Sequence, residues 1–206
     1  VQGLRLMLWG FFQKMVIADN LATLVDSVYK HPTDYQGIPL FLATFFFAFQ
    51  IYCDFSGYSD IAIGAAQVMG YQTMENFSRP YFSKSISEFW RRWHISLSSW
   101  FRDYLYIPMG GNRVSVPQWY LNLFVVMLIC GLWHGANWTY VIWGALHGFY
   151  IIFSLMTREF RNKLWRYAGL NGDQGVKKLV QGITTFVLVT GAWIFFRAQS
   201  VADALY

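Results

Sequence analysis

Two histidines lie in parts of this sequence where ionisable side chains are rare. His134 lies between Trp133 and Gly135, within the almost wholly apolar residues 128–148, and His94 lies upstream in a tryptophan-rich segment. An ionisable group in an apolar, membrane-type segment costs roughly 2.5–3.5 kcal/mol on insertion scales. Such groups therefore mark pathways or reaction sites more often than chance would give, which makes both histidines candidates for chemistry.

Three functions are open to His134. A metal site would need further ligands beside His134. Cys130, four residues earlier, could supply one, but one cysteine and one histidine do not make a site. A proton relay in a transporter would need further acids on the same span, and none is present. A general base fits well, because a neutral imidazole in an apolar setting accepts a proton, and we expect Gly131 and Gly135 to leave space for a substrate.

The other histidines have simpler interpretations beside the functional one. His94 could form a hydrogen bond to a carbonyl within an aromatic cluster. A functional role is favoured only because His134 is a second histidine in an unusual position in the same chain. His147 lies 13 residues after His134, a rotation of roughly 220° on one continuous helix, so the two would not share a face. We predict that His147 packs or forms a hydrogen bond, and that His31 lies in a surface loop.

Two carboxylates also lie in an apolar region, and each could have a structural or a functional role. Asp54 and Asp60 lie in "DFSGYSD", among hydroxyl-bearing side chains. They could bond neighbouring helices, or they could line a functional path. Spacing alone leaves both alternatives open.

The composition predicts a membrane protein. Apolar residues make up 55% of the chain and aromatic residues 20%, whereas only 13% are charged. The net charge of +5 lies in loops between apolar blocks, which fits juxtamembrane charge better than a basic face for nucleic acid, so we expect no nucleic-acid partner. Cys53 and Cys130 lie in apolar blocks and are expected to be free, buried thiols.

The apolar blocks predict an all-α, polytopic protein. Residues 3–29 are predicted to be helical and only partly lipid-facing. Residues 38–53 are predicted to span, followed by a polar interruption at "DFSGYSD" and a second helix. A further apolar pair covers 119–134 and 138–157, interrupted by "HGAN", and a last span covers 179–196. We expect residues 1–206 to form a single membrane-embedded domain, an interior piece of a longer multi-span protein.

Two topologies are compatible with the basic segments on either side of residues 119–157. If these residues cross twice, both basic segments lie on one side, which the positive-inside rule makes cytoplasmic. If "HGAN" is instead a break within one crossing, the two segments lie on opposite sides. The charge balance favours two crossings. The basic residues concerned are Arg79, Lys84, Arg91, Arg92, Arg102 and Arg113, and then Arg158, Arg161, Lys163, Arg166, Lys177 and Lys178.

Residues 85–106 predict an amphipathic helix at the membrane interface. Ser85 and Glu88 fit a capping box, and apolar residues then recur at helical spacing among several arginines. Tryptophans and arginines together are typical of the interface. Pro108 and the following glycine pair are predicted to end the helix. His94 would lie on this helix.

Three longer motifs resemble the membrane-bound O-acyltransferase family. They read "QIYCDFSGYSDIAIGAAQVMGY", "ENFSRPYFSKSISEFWRRWHISLSSWFRDYLYIPMGGNR" and "GLWHGANWTYVIWGALHG". The match is nearest to the bacterial alginate O-acetyltransferase branch, and runs from about Gly10 to about Arg197. The resemblance implies a multi-span helical enzyme in the bacterial cytoplasmic (inner) membrane, with an acetyl or other acyl group moved from a cytoplasmic thioester to a hydroxyl reached from the other side.

The resemblance also implies residue roles and partners. His134 matches the essential histidine of the family, and His94 its second recurrent histidine. Residues expected to shape the substrate tunnel are Trp133, Asn137, Asn76, Asp54 and Arg92. No bound cofactor or metal is expected, since acetyl-CoA or another acyl thioester is the donor substrate. The expected partners are the lipid bilayer, a periplasmic or extracellular acetyltransferase, and a polysaccharide acceptor, which could be alginate, peptidoglycan or cellulose. A transporter or an export-complex scaffold without acyl-transfer chemistry is the alternative function.

Overall fold

The structure is a computed structural model that describes residues 1–167, 169 and 174–206, and these residues form helices and connecting turns without any strand. The predicted all-α architecture is therefore confirmed. Among the described residues, four helices are long and apolar enough to cross a membrane: α3 (Ile38–Val68), α6 (Val116–His134), α7 (Trp138–Met156) and α9 (Gln174–Arg197, with the candidate span from Gly175). The remaining helices are α1 (Gln2–Phe11), α2 (Asp19–Tyr29), α4 (Ile86–Trp90), α5 (Ile95–Phe101), α8 (Arg158–Tyr167) and α10 (Val201–Leu205).

The chain divides into two compact units. The first contains residues 1–78 and 193–206, and the second contains residues 79–192. Helix α9 therefore continues from the second unit into the first. That residues 1–206 behave as a single domain stays a prediction.

In the first unit, α1 and α2 are joined without a break by a π-helical stretch, Phe12–Ala18, so the helix predicted over residues 3–29 is confirmed. The polar interruption predicted at "DFSGYSD" is wrong, because α3 runs unbroken for 31 residues. Its polar side chains find partners on the π-helical stretch: the Ser56 hydroxyl donates to Gln13 at 2.6 Å, and Lys14 pairs with Asp54 at 2.7 Å. With Ser56 and Asp54 satisfied in this way, the polar run does not force the helix to break.

In the second unit, α6 and α7 form an antiparallel hairpin. A Cβ on Gly131 would lie 2.3 Å from the Tyr140 carbonyl oxygen, and a Cβ on Gly144 would lie 2.4 Å from that of Met127, so the two backbones touch. Each helix is long enough to cross by itself. The alternative of one crossing broken at "HGAN" does not fit. Arg113, just before α6, and Arg158, just after α7, lie at the same end of the hairpin. That this end is cytoplasmic stays a prediction.

The prediction of a single helix over residues 85–106 is wrong, because a turn at residues 91–94 separates α4 from α5. Half of the predicted capping box is present at the start of α4, since the Ser85 hydroxyl accepts the Glu88 N–H at 3.1 Å. The Glu88 carboxylate accepts the N–H of Lys84 at 2.8 Å, and not that of Ser85 as a full capping box requires. After the turn the chain continues as α5 and a π-helical stretch, Arg102–Tyr106. Hydrogen bonds join the far end of this segment to α6, from Trp119 to the Tyr106 hydroxyl at 2.9 Å and from Asn122 to the Met109 carbonyl at 3.0 Å.

The second half of this segment thus lies along α6, from His94 beside Trp133 at one end to Tyr106 beside Trp119 at the other. The break itself is stabilised locally, because the Ser98 hydroxyl donates to the Trp93 carbonyl at 3.3 Å and the Ser98 N–H donates to the His94 carbonyl at 3.0 Å. The predicted position at the membrane interface stays a prediction.

Candidate active site at a helix break

His94 lies at the break and not on a helix. Its backbone is left-handed, with φ 45° and ψ 56°, and it caps the start of α5. This conformation costs a residue with a Cβ on the order of 1–3 kcal/mol, so it persists only where the surroundings fix it. Strain of this kind is common at active sites and switch regions. The ring Nδ1 of His94 lies 3.4 Å from the Ser96 hydroxyl.

His134 is the last residue of α6, at the turn of the hairpin. Asn137 begins the next helix, since its side-chain oxygen accepts the Thr139 N–H at 3.1 Å. The turn is short, and it holds the His134 imidazole between the end of α6 and the start of α7. Its ring centroid lies 5.1 Å from that of Trp143, edge to face, and 6.2 Å from that of Tyr140.

Trp133 brings the two histidines together. Its ring centroid lies 6.1 Å from that of His94 and 4.9 Å from that of His134, and the two imidazoles are close enough to interact electrostatically. The structure therefore brings these two side chains, forty residues apart in sequence, next to one indole. Their roles in catalysis stay a prediction.

Burial sets the charge of His94. It lowers the pKa of His94 from 6.5 to about 4, so the ring is neutral at physiological pH. A neutral imidazole carries one N–H donor and one free nitrogen acceptor. Such a ring can orient a hydroxyl or donate to a carbonyl oxygen without carrying charge into an apolar site.

The space predicted beside Gly131 and Gly135 is filled. A Cβ on Gly131 would meet the Tyr140 carbonyl oxygen, and one on Gly135 would lie 2.8 Å from the Tyr140 ring. These glycines permit close packing of α7 and do not clear room for a substrate. That prediction is therefore wrong, because a sequence shows the absence of a side chain and not which neighbour fills the gap.

Open space lies instead between α6 and the segment that runs along it. A cavity of about 560 Å³ there is lined by residues flanking His94, including Trp90, Arg91 and Ile95, and by Cys130, one turn before His134. Its remaining wall is largely apolar, with Leu97, Phe101, Met127 and Ile151. The cavity therefore adjoins both histidine-bearing elements. Within the described ranges, no three His, Cys, Asp or Glu side chains are grouped as a metal site requires.

The other predicted tunnel residues differ in their surroundings. Arg92, two residues before His94, forms an ion pair with Glu88 at 2.7 Å. Trp133 is more than half exposed, and Asn137 is exposed. Asp54, which pairs with Lys14, and the half-buried Asn76 belong to the first unit. That these five residues line a tunnel stays a prediction.

Sequence reasoning missed the aromatic residues that surround the histidines, above all Trp143 and Tyr140 on α7. The signal that could have found them is the repeated glycine on both apolar runs, Gly131 on one and Gly144 with Gly148 on the other. Small residues at such intervals are typical of close helix pairing. An antiparallel pairing through these glycines places the start of α7 beside His134.

Comparison with known proteins agrees with the helical architecture. The sequence profile of the membrane-bound O-acyltransferase family matches residues 2–198. A protein of Pseudomonas aeruginosa named as a probable alginate O-acetylase is 46% identical over 205 residues, which cover 98% of this chain and 37% of the relative. A peptidoglycan O-acetyltransferase of Helicobacter pylori is 41% identical over 207 residues, again covering 98% of this chain and 37% of the relative.

More distant relatives are named for the transfer of a different acyl group, D-alanyl. A teichoic acid D-alanyltransferase of Streptococcus thermophilus is 29% identical over 187 residues, which cover 82% of this chain and 44% of the relative. The chain thus spans less than half the length of these three relatives.

Proposed function

Because this chain belongs to the membrane-bound O-acyltransferase family, we propose that it carries the reacting centre of a membrane O-acyltransferase, and that the transferred group is acetyl. The observation that carries this proposal is that His94 and His134 both contact the Trp133 ring, while neighbouring residues of the same two elements line a cavity. The left-handed backbone of His94 also supports the proposal, because strain of this kind is common at active sites.

In the proposed reaction, His134 is the general base. Its neutral imidazole takes the proton from an acceptor hydroxyl while the hydroxyl oxygen attacks the carbonyl carbon of an acyl thioester such as acetyl-CoA. The new ester C–O bond forms, the C–S bond breaks, and the thiolate leaves with the bonding electrons. A thiol has a parent pKa near 8.5, so departure needs little acid assistance, and the imidazolium can return its proton to the sulfur.

His94 has a supporting role in this proposal. As a neutral ring at the break, it orients the acceptor hydroxyl or donates a hydrogen bond to the thioester carbonyl oxygen, where negative charge develops. The cavity beside α6 offers largely apolar walls near this site.

We further propose that the acceptor is a hydroxyl of an exported polysaccharide, reached directly or through a periplasmic acetyltransferase partner. Relatives above 40% identity are named for O-acetylation of alginate and of peptidoglycan, and both are polymers outside the cytoplasmic membrane. The protein would lie in the bacterial inner membrane, with the basic end of the α6–α7 hairpin in the cytoplasm.

The test is a matched pair of histidine variants of the intact protein, His134→Ala and His31→Ala. His31 is exposed in the loop before α3 and serves as the control. We expect His134→Ala to abolish O-acetyl groups on the exported polymer, measured by mass spectrometry at equal membrane abundance, and His31→Ala to leave them unchanged. Normal O-acetylation in the His134→Ala strain would refute the proposed base.

A transporter without acyl-transfer chemistry predicts a different pattern. In that case, purified wild-type protein in detergent would show no transfer from thioester to hydroxyl even with the periplasmic partner added, whatever its histidines. Transfer in detergent that is lost in His134→Ala excludes that alternative.

A further inference from the structure

His147 is fully buried on α7, one turn after Trp143. Its ring Nδ1 accepts a hydrogen bond from the indole N–H of Trp90 at 3.2 Å. Because Nδ1 accepts, the neutral ring carries its hydrogen on Nε2, and among the described residues that nitrogen has no hydrogen-bond partner. The bond to Trp90 is thus the one polar interaction that the structure gives to this buried side chain.

Trp90 is the last residue of α4, four residues before His94. The residue before it, Phe89, is also fully buried and stacks on the His147 ring, with centroids 6.1 Å apart and planes 13° apart. Two consecutive residues at the end of α4 are therefore held by one imidazole. The turn that follows begins from this anchored point, since the Arg92 and Trp93 N–H groups both donate to the Phe89 carbonyl.

The same part of α7 also contacts His134. The Trp143 ring lies 5.0 Å from His147, 5.6 Å from Trp90 and 5.1 Å from His134, by ring centroids. Through two residues one turn apart, α7 thus touches both the start of the strained turn and the proposed base. A packing residue such as Phe at position 147 could fill the volume, but it would offer no acceptor to the Trp90 N–H.

From this arrangement we propose that His147 is a positioning residue for the acyl-transfer site: by accepting the Trp90 N–H, it fixes the end of α4 and so holds His94 opposite His134. This inference rests on the proposed function. It assigns His147 no contact with substrate and no proton transfer.

The proposal requires an acceptor at the Nδ1 position and nothing else of the imidazole. Asparagine places its side-chain oxygen near the Nδ1 position, whereas phenylalanine keeps the ring and removes the acceptor. Trp90→Phe removes the donor and keeps most of the aromatic surface. Trp119→Phe is the matched control, because it deletes an equivalent indole bond, to the Tyr106 hydroxyl at 2.9 Å, far along α6 from His94.

The experiment measures steady-state acetyl transfer by the intact, purified protein, from acetyl-CoA to a soluble polysaccharide fragment, for each variant with a native-like melting temperature. A misplaced catalytic group of about 1 Å lowers the rate by about 10²-fold, so we expect His147→Phe and Trp90→Phe to lower kcat at least about tenfold with KM within about threefold. His147→Asn should recover kcat to within about threefold of wild type, and Trp119→Phe should stay near wild type. The double variant Trp90→Phe/His147→Phe should be no slower than the slower single variant, because both remove one bond.

Several results would overturn the inference. His147→Asn as slow as His147→Phe would show that the acceptor is not what matters, and losses that multiply in the double variant would show two separate effects. A rise in KM with unchanged kcat would make Trp90 and His147 part of a binding wall instead. Unchanged kcat in His94→Ala would show that the position of His94 does not affect the reaction, and would overturn the role proposed for His147. The proposed function would still be supported if His134→Ala loses transfer.

Discussion

Replacing Gly131 with alanine tests the packing that places His134. Gly131 lies on α6 one turn before His134, and an added Cβ would lie 2.3 Å from the Tyr140 carbonyl oxygen. The contact is with backbone, which cannot rotate away as a flexible side chain can. Relief therefore requires α7 to move away from α6, by about 1 Å if the contact is to reach an ordinary separation.

The magnitude follows from two opposing effects. Overpacking a close contact costs about 1–3 kcal/mol, whereas glycine to alanine within a helix gains about 0.5–1 kcal/mol. Gly182→Ala provides the matched control, because Gly182 lies within α9 and a Cβ there meets nothing within 4 Å. Helix propensity cancels between the two variants, so Gly131→Ala should be less stable than Gly182→Ala by about 1–3 kcal/mol.

The assay combines thermal unfolding in detergent with acetyl transfer by the intact protein. We expect Gly131→Ala to melt several degrees below Gly182→Ala, and to transfer acetyl up to about 10²-fold more slowly, since a shift of about 1 Å displaces the His134 end of the hairpin. Equal melting temperatures and equal transfer rates for the two variants would refute the close backbone contact and the hairpin built on it.

Three further predictions follow from single contacts. Burial lowers the pKa of His94 from 6.5 to about 4. As the pH falls, the unfolded chain therefore binds this proton before the folded protein does, and the free energy of unfolding drops between about pH 6.5 and 4. His94→Gln should reduce that drop in a pH series of melting curves. An unchanged dependence of the melting temperature on pH would contradict the lowered pKa. Ser56→Ala leaves the buried Gln13 carbonyl without its hydroxyl donor and should cost about 1–3 kcal/mol in unfolding, whereas a cost near zero would show that the bond does not matter. Asp26 and Arg197 are partly exposed, and a double-mutant cycle on their ion pair should give a coupling of about 0.5–1 kcal/mol; strict additivity would contradict the pair.

Hydropathy and capping chemistry predicted the helical framework well, because both act over short stretches of sequence. The apolar runs became α6, α7 and α9, and the Ser85–Glu88 pair begins a helix as its residue types indicate. The polar run in α3 was misjudged as a break. Ser56 and Asp54 are satisfied by Gln13 and Lys14, which lie about forty residues earlier in the sequence, and a local pattern cannot contain such partners.

The candidate site was predicted less completely than the fold. The residue types of His94 and His134 and the family motifs singled them out, but the left-handed backbone at His94 was not foreseen. Residues 85–106 have an unbroken helical pattern, and the contacts found beside the turn, such as that of Trp90 with His147, join residues far apart in sequence. His147 was expected to pack or to form a hydrogen bond, and the structure shows it buried with a hydrogen bond donated by Trp90.

The most direct measurement of the central claim is a single-turnover transfer by purified, intact protein. Acetyl-CoA carrying a labelled acetyl group is mixed with a polysaccharide fragment, and ester formation is followed for wild type, His134→Ala and His31→Ala at equal protein concentration. We predict that His134→Ala lowers the rate constant by at least about 10²-fold, the range of general base catalysis, while His31→Ala matches wild type. A rate constant for His134→Ala equal to that of wild type would contradict the assignment of His134 as the base.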